Sequence, residues 1–291
     1  MSLRMAAVGT YMRATRRSAF ATEAGGAAFL GAKKGSWTPP RRVARRCSVA
    51  SVIVNGRIVY RLVRWGASPD ASIIYVHGGA FVSEIQPQHW DLVTRLAIET
   101  GATVHVPIYG LAPKHHAGEG LALILEVIRG CAADGPTYVM GDSSGGGLAL
   151  SATRAWLDAD GAAPVGMTLI APWLDVSLRN PAIATVELRD PWLARPGLRV
   201  CGKSWAGPLD VGDPRVSPIY GDLGGLPPIE LYVGDRDIIV ADCRLLRDQL
   251  PSDRLNYYEQ AGAMHVYPLL PTPEGRAARR RLIDNARSCL S

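Results

Sequence analysis

From residue 47 onward, short apolar runs alternate with longer stretches in which apolar residues recur every three to four positions. The runs Ser72–Val76, Thr103–Pro107, Thr137–Met140, Met167–Ile170, Ile229–Val233 and Leu255–Tyr258 read as strands. They are continuously apolar rather than alternating, the mark of strands buried on both faces. His89–Thr100, Leu121–Cys131, Ser144–Leu157, Ala241–Leu250 and Pro273–Ser288 read as helices. This order predicts an α/β fold with a mostly parallel central sheet and helices on both faces. Ser51–Val54 and Arg57–Val63 flank Asn55-Gly56, a two-residue hairpin signal. Two regions break the alternation. Residues 1–46 read as loosely amphipathic, basic helices ending in the breaker-rich Gly35–Pro40. Leu174–Pro227 contains Trp192 and Trp205 but no strand pattern. A structureless excursion of that length inside a domain is improbable unless functional, so it reads as an insertion above the strand ends, helical around Ala194–Trp205.

Composition narrows the field. The chain has 291 residues, enough for one large α/β domain, with 47% hydrophobic and 20% charged residues, as in a globular protein. The net charge of +6 is uneven: residues 1–50 carry +9, leaving −3 for the remainder. The basic character therefore belongs to the N-terminal segment, and without a reading module it gives no nucleic-acid partner. No apolar run reaches the roughly 18 residues of a membrane span. The Arg-rich, acid-poor N-terminus faintly resembles a transit peptide; the expectation is a cytoplasmic protein, with peripheral membrane contact left open. Cys47, Cys131, Cys201, Cys243 and Cys289 are scattered, odd in number and without a CxxC pair, so free thiols are expected rather than a disulfide framework or zinc site.

The chemistry lies in the turns after the strands. Gly141-Asp142-Ser143-Ser144-Gly145 fits G-x-S-x-G between a strand and a helix. A nucleophile on so tight a turn needs small neighbours, and the helix N-terminus favours developing negative charge. A Gly-rich structural turn or a phosphate loop is the alternative. His77-Gly78-Gly79-Ala80-Phe81 follows the strand Ser72–Val76 and offers backbone N–H groups for an oxyanion: Gly79 and Ala80 first, Ser144 as the third, and Gly78 either structural or sharing the role. A seryl nucleophile needs a base and an orienting acid, in the chain order Ser, acid, His. Asp237, with Asp235 and Asp242 as rivals, follows the strand Ile229–Val233, and His265 follows Leu255–Tyr258. Of the other histidines, His77 is read as shaping the oxyanion loop, and His89 and His105 as structural. His115 and His116 are read as a solvated loop with no acid at ligand spacing, so no metal is expected.

These motifs resemble the hormone-sensitive-lipase-like esterases over roughly Val54 to the end. His77–Phe81 resembles His-Gly-Gly-Gly, and Gly141–Gly146 resembles Gly-Asp-Ser-Ala-Gly-Gly. Ala171-Pro172-Trp173-Leu174-Asp175 is similar to Ser-Pro-Trp-x-Asp. Val216–Tyr220 and Gly225–Pro228 are similar to the run leading into the acid strand. Asp237–Asp242 resembles the acid motif, whose first Asp is catalytic, which selects Asp237; Gly262–His265 resembles the Gly-x-x-His of the base. The resemblance implies an α/β-hydrolase catalytic domain over 47–291, roofed by a cap made from residues 1–46 and an insertion at about 176–210. It also implies Ser143, His265 and Asp237 as a triad, no cofactor, and a small-molecule ester as substrate. Four departures stand out: Ala80 for the third Gly, Ser144 for Ala, Glu84 for Gly, and Tyr109–Lys114, which resembles Tyr-Arg-Leu-Ala-Pro-Glu but has Gly110 for Arg and Lys114 for Glu.

The expected activity is carboxylic ester hydrolysis through an acyl-enzyme, on short to medium acyl chains. Phe81, Trp173, Trp192, Trp205 and Val266 are candidate apolar pocket walls, with core packing as their alternative role. A lactone hydrolase using the same triad is the runner-up. A small-molecule receptor that has lost catalysis, or a membrane-surface protein acting through residues 1–46, are the rivals from other classes. A homodimer is left open.

Overall fold

The computed structural model describes all 291 residues. Eight strands form one sheet: β1 (Cys47–Val54), β2 (Arg57–Arg64), β3 (Ser72–Val76), β4 (Thr103–Pro107), β5 (Thr137–Asp142), β6 (Gly166–Ile170), β7 (Ile229–Gly234) and β8 (Leu255–Gln260). Their order is β1-β2-β4-β3-β5-β6-β7-β8. The Asn55-Gly56 turn folds β1 onto β2 antiparallel, and β2 meets β4 antiparallel; the other five pairings are parallel. β3, β5, β6 and β7 are buried along their whole length, so both sheet faces are covered, as their unbroken apolar runs require. The edge strand β1 starts at Cys47 rather than Ser51. Its Ser48 and Ala50 carry no strand signal, but pairing with Val63 and Arg61 of β2 holds them in register, and an edge strand has an exposed face that needs no apolar residue.

The helices that cover the sheet are α5 (Pro87–Thr100), α6 (Ala117–Asp134), α7 (Ser143–Asp158), α10 (Val240–Gln249) and α11 (Pro273–Cys289). α5 packs on α11 and α6 on α7. Residues 1–46 form α1 (Leu3–Thr15), α2 (Ser18–Ala21), α3 (Glu23–Gly31) and α4 (Arg41–Ala44). The excursion between β6 and β7 carries α8 (Ile183–Glu187) and α9 (Arg195–Ala206), the latter one residue from the predicted helix.

These two irregular regions pack on each other. α3 meets α9 at Gly26 and Gly197: a Cβ on Gly26 would lie 2.5 Å from the Cα of Gly197. Only the absence of side chains allows so close an approach of two backbones. The Arg17 guanidinium donates to the carbonyls of Asp190 (2.5 Å) and Leu193 (2.8 Å), and Ser2 bonds Glu274 on α11 through its N–H and its hydroxyl. Met5, Phe20 and Val43 are buried. The basic N-terminal segment is thus folded onto the body, with one of its arginines closing backbone carbonyls of the excursion.

Because β3 and β5 through β8 run parallel, their C-terminal ends share one edge of the sheet. The loops after β3, β5, β7 and β8 carry His77–Phe81, Ser143, Asp237 and His265 respectively. Parallel pairing therefore gathers four sequence-distant motifs, which is why such sheets bind ligands at that edge.

Candidate active site

Ser143 opens α7 in the left-handed region, with φ +52°. A non-glycine residue held there is strained, and the surrounding glycines are what allow it. A Cβ on Gly145 would lie 2.2 Å from the carbonyl oxygen of Val76, and one on Gly141 would lie 2.6 Å from the carbonyl oxygen of Gly145. The two glycines of G-x-S-x-G are thus spaces into which β3 and α7 close.

Ser143 lies in a hydrogen-bonded relay. His265 Nε2 is 2.9 Å from Ser143 Oγ, and its Nδ1 is 2.7 Å from Asp237 Oδ2. All three side chains are buried, Asp237 completely. Burial alone would lower the His265 pKa, but contact with the Asp237 carboxylate, reinforced by Asp190, holds it above the ordinary value. The second Asp237 oxygen accepts from Ile239 N–H at 3.1 Å, which orients the carboxylate. The rival acids are occupied elsewhere: Asp235 accepts from Gly262 N–H (2.7 Å) and Asp242 from the Asn180 amide (2.9 Å).

The loop after β3 holds two consecutive non-glycine residues in the left-handed region, Ala80 (φ +55°) and Phe81 (φ +60°), after Gly79 (φ +131°). The N–H groups of Gly79 and Ala80 have no acceptor within the protein. Gly78 does not share that role. Its N–H donates to Asp142 Oδ1 at 2.9 Å, so it anchors the loop and is not a free donor. The signal for this was the Asp of the Gly-Asp-Ser motif, whose side chain also accepts from Tyr75 OH (2.7 Å). Burial would raise the Asp142 pKa, but His89 with these two donors keeps it below the usual carboxylate value. The Ser144 hydroxyl accepts from Phe81 N–H at 3.3 Å, a second tie between the elbow and the loop. His77 is buried with its pKa lowered to about 4, by burial first, and its ring stacks on Tyr109 at 4.6 Å.

Of the candidate walls, Phe81, Trp173 and Trp205 are fully buried in a ring stack. Phe81 lies 4.3 Å from Trp205 at an interplanar angle of 3°, and 5.8 Å from Trp173. Trp192 is half-buried and meets the His265 ring edge-on at 5.5 Å. Val266 follows His265 in the left-handed region, φ +47°. His115 and His116 are not a loop free of acids: Glu119, on the first turn of α6, lies 2.6 Å from His115 Nδ1 and 3.4 Å from His116 Nε2. The helix start brings i+3 and i+4 together, a spacing visible in the sequence. No group of three or more His, Cys, Asp or Glu side chains, this one included, is arranged so that it could hold a metal ion.

Asp190 was not singled out by sequence. It is completely buried on the excursion, and its carboxylate accepts from the N–H groups of Trp192 (2.7 Å), Leu193 (2.9 Å) and Ile238 (2.9 Å). It thereby joins the excursion to the residue after Asp237. Burial, with the Asp237 charge added, pushes its pKa up to about 7. Asp190 lies in the excursion without a local motif to mark it, and only the folded chain places it beside Asp237.

A family model for the alpha/beta hydrolase fold matches residues 73–269, the stretch that holds all of these groups. The chain belongs to the α/β-hydrolase family. It is 29% identical over 286 residues to a Mycobacterium tuberculosis protein named as an acetyl-hydrolase, spanning 96% of this chain and 92% of that one. The crystal structure of a Staphylococcus aureus protein named as an esterase superposes with a TM-score of 0.80 at 28% identity, covering 86% of each chain. An esterase of the bacterial hormone-sensitive lipase family shares the fold at 22% identity, with a TM-score of 0.80 over 100% of this chain and 99% of that one. The family match and the acetyl-hydrolase and esterase likenesses agree with the serine-hydrolase class expected from the sequence. No helix of this α/β-hydrolase is long and apolar enough to cross a membrane.

Proposed function

We propose that this α/β-hydrolase cleaves carboxylic esters of short to medium acyl chains through a Ser143–His265–Asp237 triad. The observation that carries the reading is the unbroken relay Asp237–His265–Ser143, with the unpaired N–H groups of Gly79 and Ala80 on the neighbouring loop. Ser143 Oγ attacks the ester carbonyl as its proton passes to His265 Nε2. The carbonyl oxygen becomes an oxyanion held by Gly79, Ala80 and Ser144 N–H groups. Collapse breaks the ester C–O bond, and His265 returns the proton to the leaving alcohol. Water then attacks the acyl-enzyme, giving its proton to His265, and Ser143 leaves with that proton as the acid is released. Asp237 keeps the tautomer that presents Nε2 as acceptor and stabilises the imidazolium.

In the same reading, residues 1–46 and the excursion at about 176–210 are the cap over the site. Their mutual packing at Gly26 and Gly197, and the reach of Trp192 to His265, support it. An intact base argues against a receptor that has lost catalysis.

The test is a hydrolysis panel of aryl esters of graded acyl length, with simple lactones included, on the parent and on Ser143→Ala. The parent should prefer the esters. Ser143→Ala should lose several orders of magnitude in kcat and lose labelling by a fluorophosphonate, with Ser144 left unlabelled in both. Labelling that persists in Ser143→Ala would overturn the assignment, and lactones hydrolysed faster than every ester would transfer it to the lactonase reading.

A further inference from the structure

Two of the four departures from the esterase pattern, Glu84 and the stretch with Gly110 and Lys114, supply three residues that line one cavity of about 590 Å³. Its other walls are the end of α3 with the segment up to Trp37, Arg57 at the start of β2, and the turn between β4 and α6. None of Ser143, Asp237, His265, Gly79, Ala80 or Ser144 lines it. It lies beside the reaction centre and outside it.

The three changes act together. At position 110 the family pattern has an arginine. Here a Cβ would lie 2.5 Å from Arg57 Nη2 and 2.3 Å from the ring of His115. The guanidinium therefore arrives from β2, and the place where a residue-110 side chain would begin is taken. At position 114 an acid is replaced by an exposed lysine, which reverses the sign of that wall. Lys33, Lys34, Arg57 and Lys114, with the His115 imidazole, then share the cavity lining with a single carboxylate, Glu84. Glu119 offsets this only in part, pairing with His115 and lying 3.9 Å from Arg57.

Glu84 is only 8% exposed, and its Oε2 has no hydrogen-bond partner. Burial raises its pKa in spite of Lys34 and Arg57. A buried acceptor left unpaired is a standing cost that a ligand donor removes. The cavity thus offers an excess of positive charge at the rim and, in its wall, a carboxyl with one buried, unpaired oxygen.

We propose that this cavity binds a small hydroxylated anion, a carboxylate or phosphate whose charge faces Lys34, Arg57 and Lys114 and whose hydroxyl donates to Glu84. The occupant sits against the oxyanion loop. Glu84 belongs to the segment that follows Phe81, Tyr109 OH donates to the His77 carbonyl (2.8 Å), and Ala112 N–H donates to the Phe81 carbonyl (2.9 Å).

The experiment is calorimetric titration of the full chain after treatment with phenylmethylsulfonyl fluoride, so that binding at the serine is blocked. The probes are glycerol 3-phosphate and glycerate, with methyl phosphate (charge without hydroxyl) and glycerol (hydroxyl without charge) as controls. The expected result is saturable one-to-one binding of a hydroxylated anion, at least about tenfold tighter than either control, and the tighter of the two probes identifies the head group. Lys114→Glu, at an exposed position, should weaken it by about tenfold or more. Glu84→Gly, which puts back the small residue of the family pattern, should remove the advantage over methyl phosphate. No saturable binding, equal affinity for methyl phosphate, or affinity unchanged in Lys114→Glu would each overturn the proposal. Failure of the reagent to modify Ser143 would count against the hydrolase reading alone.

Discussion

Ser143 and Ser144 show how much one backbone position decides. Both are buried serines at the same helix start, yet one hydroxyl meets His265 and the other accepts from Phe81 N–H. The same contrast separates the acids. Asp237→Asn removes the carboxylate that fixes the imidazole tautomer, and turnover should fall by about 10⁴. Asp235→Asn loses a bond to Gly262 N–H and should be far milder; steady-state kinetics on one aryl ester would show a reversal if Asp235 were the acid. The base must be neutral to act, and its pKa is held above the ordinary imidazole value. The acid limb of kcat/KM should therefore lie above that of an unperturbed histidine, with activity rising as pH increases through it. Asp190→Asn withdraws one of the charges that raise His265, so the limb should move to lower pH; an unmoved limb would exclude this coupling. Asp190 also bears on stability. Its folded pKa lies above the ordinary carboxylate value, so it costs stability as pH rises from about 4 to about 7. The melting temperature of Asp190→Asn relative to the parent should rise across that window.

At the scale of elements, the contact between α3 and α9 is made by glycines that the sequence scatters without pattern. Gly26 on α3 meets Gly197 on α9, and a Cβ on Gly197 would also lie 2.6 Å from the Cα of Phe20 on the adjoining α2. Gly197→Val should force the helices apart and destabilise the fold by about 1–3 kcal/mol, read from urea unfolding. If this packing carries the cap, the same variant should also change the preference among acyl chains. Loss of stability with an unchanged profile would make the contact purely structural. The helices and strands around the sheet were legible because the helices are periodic, the inner strands are unbroken apolar runs, and breakers bound both. The hairpin at Asn55-Gly56 and helix α11 follow that logic directly. The edge of β1 was not legible, since Ser48 and Ala50 are set by pairing rather than by propensity.

Across the whole molecule, the sheet brings the four loops to one edge and the two irregular regions fold over one another. The stack of Phe81 on Trp205 and Trp173 fills space next to the oxyanion loop with rigid, buried rings. Each methylene that finds apolar room contributes roughly 0.8 kcal/mol, and once the room is filled further length becomes a steric cost. The expected profile is kcat/KM rising over short acyl chains and then falling, with little activity on long-chain triglycerides. A profile still climbing at long chains, or strong activation by an emulsion surface, would show that these rings do not limit the acyl site.

What the sequence determined by itself is whatever depends on near neighbours in the chain. The strand–helix alternation, the elbow around Ser143 and the loop His77–Phe81 are local patterns, each tied to a backbone geometry that only certain residues can adopt, and the chain order of the Ser, Asp and His motifs is read directly along the sequence. The tertiary structure decided what depends on pairs far apart. It turned Gly78 N–H to Asp142, set Asp190 against the acid loop, buried Phe81, Trp173 and Trp205 in one stack, and brought Arg57 into the space of residue 110 beside Glu84 and Lys114. The direction of a hydrogen bond and the sharing of a cavity are set by which surfaces close on each other, and no local pattern carries that information.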